Sequence, residues 1–206
     1  MPPPLRLAFG FLTFIAIVWQ LTIHIQNGYN VLNFFSYFTN LANLYAAAVL
    51  LLGAFRIHVT RPPLFDTLRA VAVVNMALVG LVFGALLRNV DLGSLLPWIN
   101  VVLHYIMPCV VVADWLLQPP KARLRANTFL FVLLIPSIYL LYVLLRGSSV
   151  GWYPYPFLNP ANVGGYAGVA AYAVAIATGF LIVGWMLIAL GNKRSQRIDE
   201  TLSVRN

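Results

Sequence analysis

Residues 68–87 read LRAVAVVNMALVGLVFGALL, twenty positions holding one charge, Arg69, near the start and one amide, Asn75, inside. Twenty helical residues rise about 30 Å, which is the thickness of a bilayer's hydrocarbon core. In that medium a backbone must satisfy its own polar groups, so a run of this length and apolarity predicts a transmembrane helix. Outward from it, similar runs occur at 7–25, 34–55, 95–117, 128–145 and 163–190. The first exceeds a signal-peptide core and lacks a small-residue cleavage site, so it is read as a retained span. Composition agrees, because 61% of the chain is hydrophobic and 9% charged, against about 25% charged in soluble domains. A water-soluble globule is excluded. The predicted fold class is all-α: a polytopic membrane protein with a bundle of six transmembrane helices over residues 1–192 and a short basic tail over 193–206.

The 13 Lys and Arg fix an orientation for that bundle. Arg6, Arg56, Arg61, Arg69, Lys121, Arg123, Arg125, Lys193, Arg194, Arg197 and Arg205 fall on one side of the predicted membrane, and only Arg88 and Arg146 on the other. The positive-inside rule makes the first side cytoplasmic, with both termini there. The net charge of +8 therefore points to anionic lipid and not to nucleic acid, since no basic stripe accompanies it on a soluble element. Cys109 stands alone, and neither a metal nor a redox spacing is present. Small residues suit close helix packing: Gly80 and Gly84 form a GxxxG pair, and Ala167, Ala171, Ala175 and Gly179 recur every four residues, all read as packing faces within the chain.

Polar side chains inside spans carry the functional information, because each must find a partner in hydrocarbon. On the second span Ser36, Thr39, Asn40 and Asn43 fall within an arc of about 100° at helical spacing. On the fourth, Asn100 and His104 are four apart and share a face. Thr39 and Asn43 are expected about 8 and 13 Å below the outer start of their span, at the depth of Asn100 and His104. The two clusters can therefore meet if those spans are neighbours. Two readings remain open. One is interhelical hydrogen bonding, worth about 0.6 kcal/mol per residue. The other is chemistry, since a hydroxyl facing an imidazole is the minimal nucleophile and base for acyl transfer.

The remaining polar positions carry smaller expectations. Asp114 lies near the cytoplasmic end, where pairing with an Arg or snorkelling suits it. Asn75 is expected to hydrogen-bond between helices, His24 to sit at the interface, and Arg88 to pair with Asp91 or to contact a substrate carboxylate. The segment from Trp152 to Pro160, with Tyr153, Tyr155 and Asn159, holds too many prolines for a helix. It reads as an interfacial aromatic belt or as a lid over the outer-leaflet site.

The stretch Phe34-Phe35-Ser36-Tyr37-Phe38-Thr39-Asn40-Leu41, the stretch Leu103-His104-Tyr105-Ile106-Met107-Pro108 and the Tyr-Pro loop resemble the bacterial relatives of the androgen-induced membrane protein family. The resemblance covers most of the chain. It implies a threonine hydrolase of the membrane that cleaves fatty acid esters of hydroxy fatty acids, with the nucleophile at Thr39 and the base at His104. Many such relatives have an acidic residue near the end of the Tyr-Pro loop where this chain has Asn159. A dyad is therefore expected, with the amides of Asn40, Asn43 and Asn100 as candidate oxyanion donors and Ser36 as a positioning residue. No cofactor and no metal enter this scheme, and its partners are a fatty acyl ester and membrane lipid in a bacterial plasma membrane. Two rivals are a lipid or small-solute carrier and, more remotely, a haem electron carrier using His24 and His104 as axial ligands.

Overall fold

The computed structural model describes residues 1–55, 63–91, 93–121, 123–124 and 126–203. Among them every regular element is helical. Helix α1 covers Pro3–Gln26, α2 Val31–Phe35, α3 Phe38–Ala54 and α4 Pro63–Val82, which a π turn extends over Phe83–Leu87. Helix α5 covers Pro97–Val101, and a second π turn, Val102–Ile106, joins it to α6, Met107–Leu117. Helix α7 covers Ala126–Val150 and α8 Tyr166–Ser203, with one 3-10 turn, Pro156–Leu158, between them.

Five segments are long and apolar enough to cross a membrane: Pro3–Gln26, Leu64–Leu87, Pro97–Leu117, Thr128–Val150 and Tyr166–Gln196. The second expected span departs from its reading. It begins at Phe38 instead of 34, because the chain breaks at Ser36 and Tyr37 and leaves α3 with 17 residues. Tyrosines of α7 account for the break. The Tyr139 hydroxyl donates to the Ser36 carbonyl oxygen at 2.8 Å, and the Tyr142 hydroxyl pairs with Ser36 Oγ at 2.9 Å. Ser36 Oγ also donates to the Leu32 carbonyl at 2.7 Å, closing α2 from its own side chain. Ser36 therefore caps α2 and does not share a helix with Thr39. The basic stretch from residue 193 continues α8 as far as Ser203.

Helix α4 is the central rod, with Ala70, Val73, Val74 and Met76 fully buried. Helices α7 and α8 instead present Leu134, Leu141, Ile182 and Trp185 outward, an arrangement that water would penalise and hydrocarbon favours. Gly80 brings α4 against α6, since a Cβ there would lie 3.1 Å from Pro108 Cβ, whereas a Cβ at Gly84 would meet open space. The Ala167, Ala171 and Ala175 stripe is exposed, which corrects its reading as an internal packing face.

The charges segregate to the ends of the bundle. At one end Arg6 Nε donates to Asp114 Oδ1 at 2.7 Å, Arg6 Nη2 to Asp114 Oδ2 at 2.9 Å, and Arg69 Nη2 to the same oxygen at 3.2 Å. Arg6 also reaches the Gly53 carbonyl, so this buried cluster ties α1, α3, α4 and α6 together. Arg88 and Arg146 lie at the opposite end. Among the described residues no ion pair joins Arg88 to Asp91, whose Oδ1 accepts the Gly93 N–H instead. Asn75 is buried, and its Oδ1 has no hydrogen-bond partner.

Candidate active site

At the Arg88 end of the bundle, α3 begins beside the π turn of the α5–α6 rod. Pro108 helps explain that turn: it has no N–H to offer the His104 carbonyl, so the regular ladder cannot run through this point. Met107 instead donates to Val102, five residues back. Such single π turns widen a helix locally and are frequent at functional sites. This one turns His104 toward α3.

His104 Nε2 lies 3.3 Å from Thr39 Oγ1, a long hydrogen bond between side chains that are 7% and 8% exposed. The other ring nitrogen fixes the tautomer. His104 Nδ1 is 3.2 Å from the backbone carbonyl oxygen of Asn100, which can only accept. Nδ1 therefore carries the proton, and the Nε2 lone pair faces the threonine hydroxyl. Phe83, in the π turn that ends α4, stacks on the imidazole with centroids 4.0 Å apart and planes at 22°, holding the ring in plane with its two partners.

Thr39 sits in the first turn of α3, where backbone N–H groups lack helical partners. Its N–H is accepted by the Tyr155 hydroxyl oxygen at 3.3 Å. That contact sets the Tyr155 hydroxyl directly beside Thr39. Burial pushes the Tyr155 phenol up, so it remains a neutral donor through the physiological range. The ring is held by Phe157, with centroids 5.2 Å apart and planes at 4°, and by Tyr37 edge-on.

The asparagines do different work from that expected. Asn40 Nδ2 donates to the Phe34 carbonyl at 2.8 Å, and Asn43 Nδ2 to the carbonyls of Thr39 and Leu103 at 2.9 and 3.1 Å. Asn43 thus commits both of its N–H groups to backbone and has none to offer a developing oxyanion, whereas Asn40 commits one and borders the cavity. Asn100 acts on His104 through its main-chain carbonyl, and its side-chain Oδ1 is buried without a partner. Ser36 reaches the site only indirectly, by anchoring the break that starts α3.

Two cavities meet at Thr39. One, of about 480 Å³, is the more polar of the two and is bounded by Thr39, His104, Tyr153, Tyr155, Asn159 and residues of α1 and α2. The other, of about 310 Å³, is apolar and lies between α4, α7 and α8, bounded by Leu78, Phe83, Tyr139, Phe157 and Ala177 among others. Thr39, Leu87 and Tyr155 line both. Arg88 lines neither, although its neighbour Leu87 lines both. His24 is at the edge of the polar cavity, its Nε2 donating to the Asn30 carbonyl at 2.9 Å.

Several contributors escaped the sequence. Gln20 grips the loop before α5, donating to the Ser94 carbonyl and accepting from the Leu96 N–H. A lone amide in an apolar run was the available signal for it. Phe83 had none, since one phenylalanine in a membrane helix is unremarkable until its partner is known. Compared with protein-family models, curated proteins and solved structures, the chain matches none of them.

Proposed function

We propose that this protein is a membrane-embedded hydrolase of lipid acyl esters, with Thr39 as nucleophile and His104 as base. The observation that carries the reading is the pair of hydrogen bonds from Asn100 O to His104 Nδ1 and from His104 Nε2 to Thr39 Oγ1, which leaves the Nε2 lone pair for the hydroxyl. The sequence resemblance points to the same two residues. The bundle is read as six spans with both termini cytoplasmic: α3 rises about 26 Å, close to the hydrocarbon thickness, and the lysines and arginines divide 11 to 2 between the two sides. On this reading the site lies in the outer half of the membrane, taken to be a bacterial plasma membrane.

In the first step His104 Nε2 takes the Thr39 hydroxyl proton as Oγ1 attacks the ester carbonyl carbon. The Tyr155 hydroxyl donates to the oxygen that becomes negative. Collapse expels the alcohol, which receives the proton from Nε2–H, and leaves an acyl-threonine. Water from the polar cavity then loses a proton to Nε2 and attacks the same carbon. The acid leaves, and Thr39 Oγ1 regains its hydrogen.

Reaction of the purified protein with an alkyl fluorophosphonate, followed by mapping of the adduct, tests this scheme. Thr39 is expected to carry the label and Thr39→Ala to lose it. Labelling that persists in the variant removes Thr39 from the role. Lipid binding with neither label nor turnover would favour a carrier.

A further inference from the structure

If Thr39 attacks an ester, the two halves of that ester must leave the carbonyl in different directions, and the structure offers two compartments, one almost wholly apolar and one with many polar groups in its lining. The apolar one suits a hydrocarbon chain. The more polar one is lined by six amides, those of Gln20, Asn30, Asn33, Asn40, Asn159 and Asn162, of which all but Asn162 also bond within the protein, and by one formal charge, Asp91. Among the described residues no Lys or Arg lines it. Arg146, near its wall, is occupied: Nη2 donates to Asn33 Oδ1 at 2.6 Å, and the guanidinium lies 5.4 Å over the Trp152 ring.

An anion placed there would meet the like charge of Asp91 in the lining, while the nearest cation, Arg146, is set behind the wall with its Nη2 committed to Asn33 and its face to Trp152, a poor exchange for lost hydration. Hydroxyl groups fare better, because each can both donate to amide oxygens and accept from amide N–H groups. We infer that the polar compartment receives the alcohol half of the substrate and that this half is an uncharged polyhydroxy group such as glycerol or a sugar. The inference rests on the ester-hydrolase reading above. It differs from the substrates that the resemblance implies, whose alcohol half ends in a carboxylate.

The experiment places the full chain in vesicles of ether-linked phosphatidylcholine, which offer no competing ester, at pH 7. Three palmitoyl esters are compared: 1-palmitoylglycerol, 6-O-palmitoylglucose and the ester of a hydroxystearic acid. At least one polyol ester is expected to show kcat/KM tenfold or more above the carboxylate-bearing ester, and whichever leads separates glycerol from sugar. Asn162→Lys, which adds a cation to the cavity wall, is expected to narrow that ratio. Equal or faster cleavage of the hydroxystearic ester by the unaltered protein overturns the inference and leaves the Thr39–His104 dyad standing. Cleavage of none of the three also overturns it, and the presence or absence of a fluorophosphonate adduct on Thr39 then decides whether the hydrolase reading falls too.

Discussion

The side-chain amide of Asn43 donates to the carbonyl oxygen of Leu103 across 3.1 Å, linking α3 to the π turn that carries His104. That carbonyl has lost its usual helical donor, because Met107 bonds to Val102 instead and Pro108 has no N–H. Asn43 is fully buried, so no water can replace it. Asn43→Leu keeps the volume and abandons the carbonyl, which is expected to lower stability by about 1–3 kcal/mol. Thermal unfolding in detergent reads this directly. A midpoint equal to that of the parent protein would show that the π turn stands without the amide.

His104→Gln removes the base and retains a polar side chain of similar reach. General-base catalysis is typically worth about 10²–10⁴-fold, so turnover of any ester substrate should fall within that range. Labelling of Thr39 by fluorophosphonate should slow in parallel, with the unfolding temperature little changed. Retention of full labelling speed would mean that Thr39 is activated by another group.

Tyr155→Phe keeps the stacked ring on Phe157 and deletes only the hydroxyl. Loss of one oxyanion donor typically lowers kcat by about 10²–10³-fold. KM is expected to move much less, since the interaction forms as charge develops in the transition state. If KM rises and kcat holds, the hydroxyl contacts the bound ester and not the oxyanion.

How far the sequence carried depends on the range of each interaction. The long spans were legible because twenty apolar residues have one stable arrangement in a bilayer, and Thr39 was brought near His104 by depth counted along two rods. The break at Ser36 was not legible. Its cause is Tyr139 and Tyr142, more than a hundred residues away, which withdraw the Ser36 carbonyl and hydroxyl from the helix. Both π turns were missed as well, although Pro108 marked one of them. The asparagines were rightly singled out as buried polar groups, but a spacing cannot say whether an amide turns toward a cavity or toward a neighbouring carbonyl. Tyr155 was visible only as part of an aromatic loop, and its placement over the first turn of α3 needed the fold.

At the other end of the bundle, Asp114 faces Arg6 and Arg69 in a buried cluster. Removing one member of such a buried charged set typically destabilises by about 3–5 kcal/mol. Asp114→Asn is expected to fall in that range, measured as a lowered unfolding temperature in detergent. The effect should be independent of substrate, because the cluster and Thr39 lie at opposite ends of α3. A variant that unfolds normally but loses turnover would instead indicate that the cluster is coupled to the site.

Ala177 lies on α8 along the apolar cavity, where a small side chain leaves room beside Phe157 and Leu181. Ala177→Trp places a large ring in that space without touching the polar cavity, since Ala177 borders only the apolar one. If the acyl chain occupies this pocket, long and short chains must respond differently. Palmitoyl ester hydrolysis is expected to drop tenfold or more in kcat/KM, whereas an acetyl or butyryl ester of the same alcohol, which ends before the new ring, should change by less than threefold. Measuring both chain lengths on one preparation separates blocked binding from misfolding, which would lower the two together. Equal loss for both lengths, or none for either, would mean that the acyl chain follows another path from Thr39.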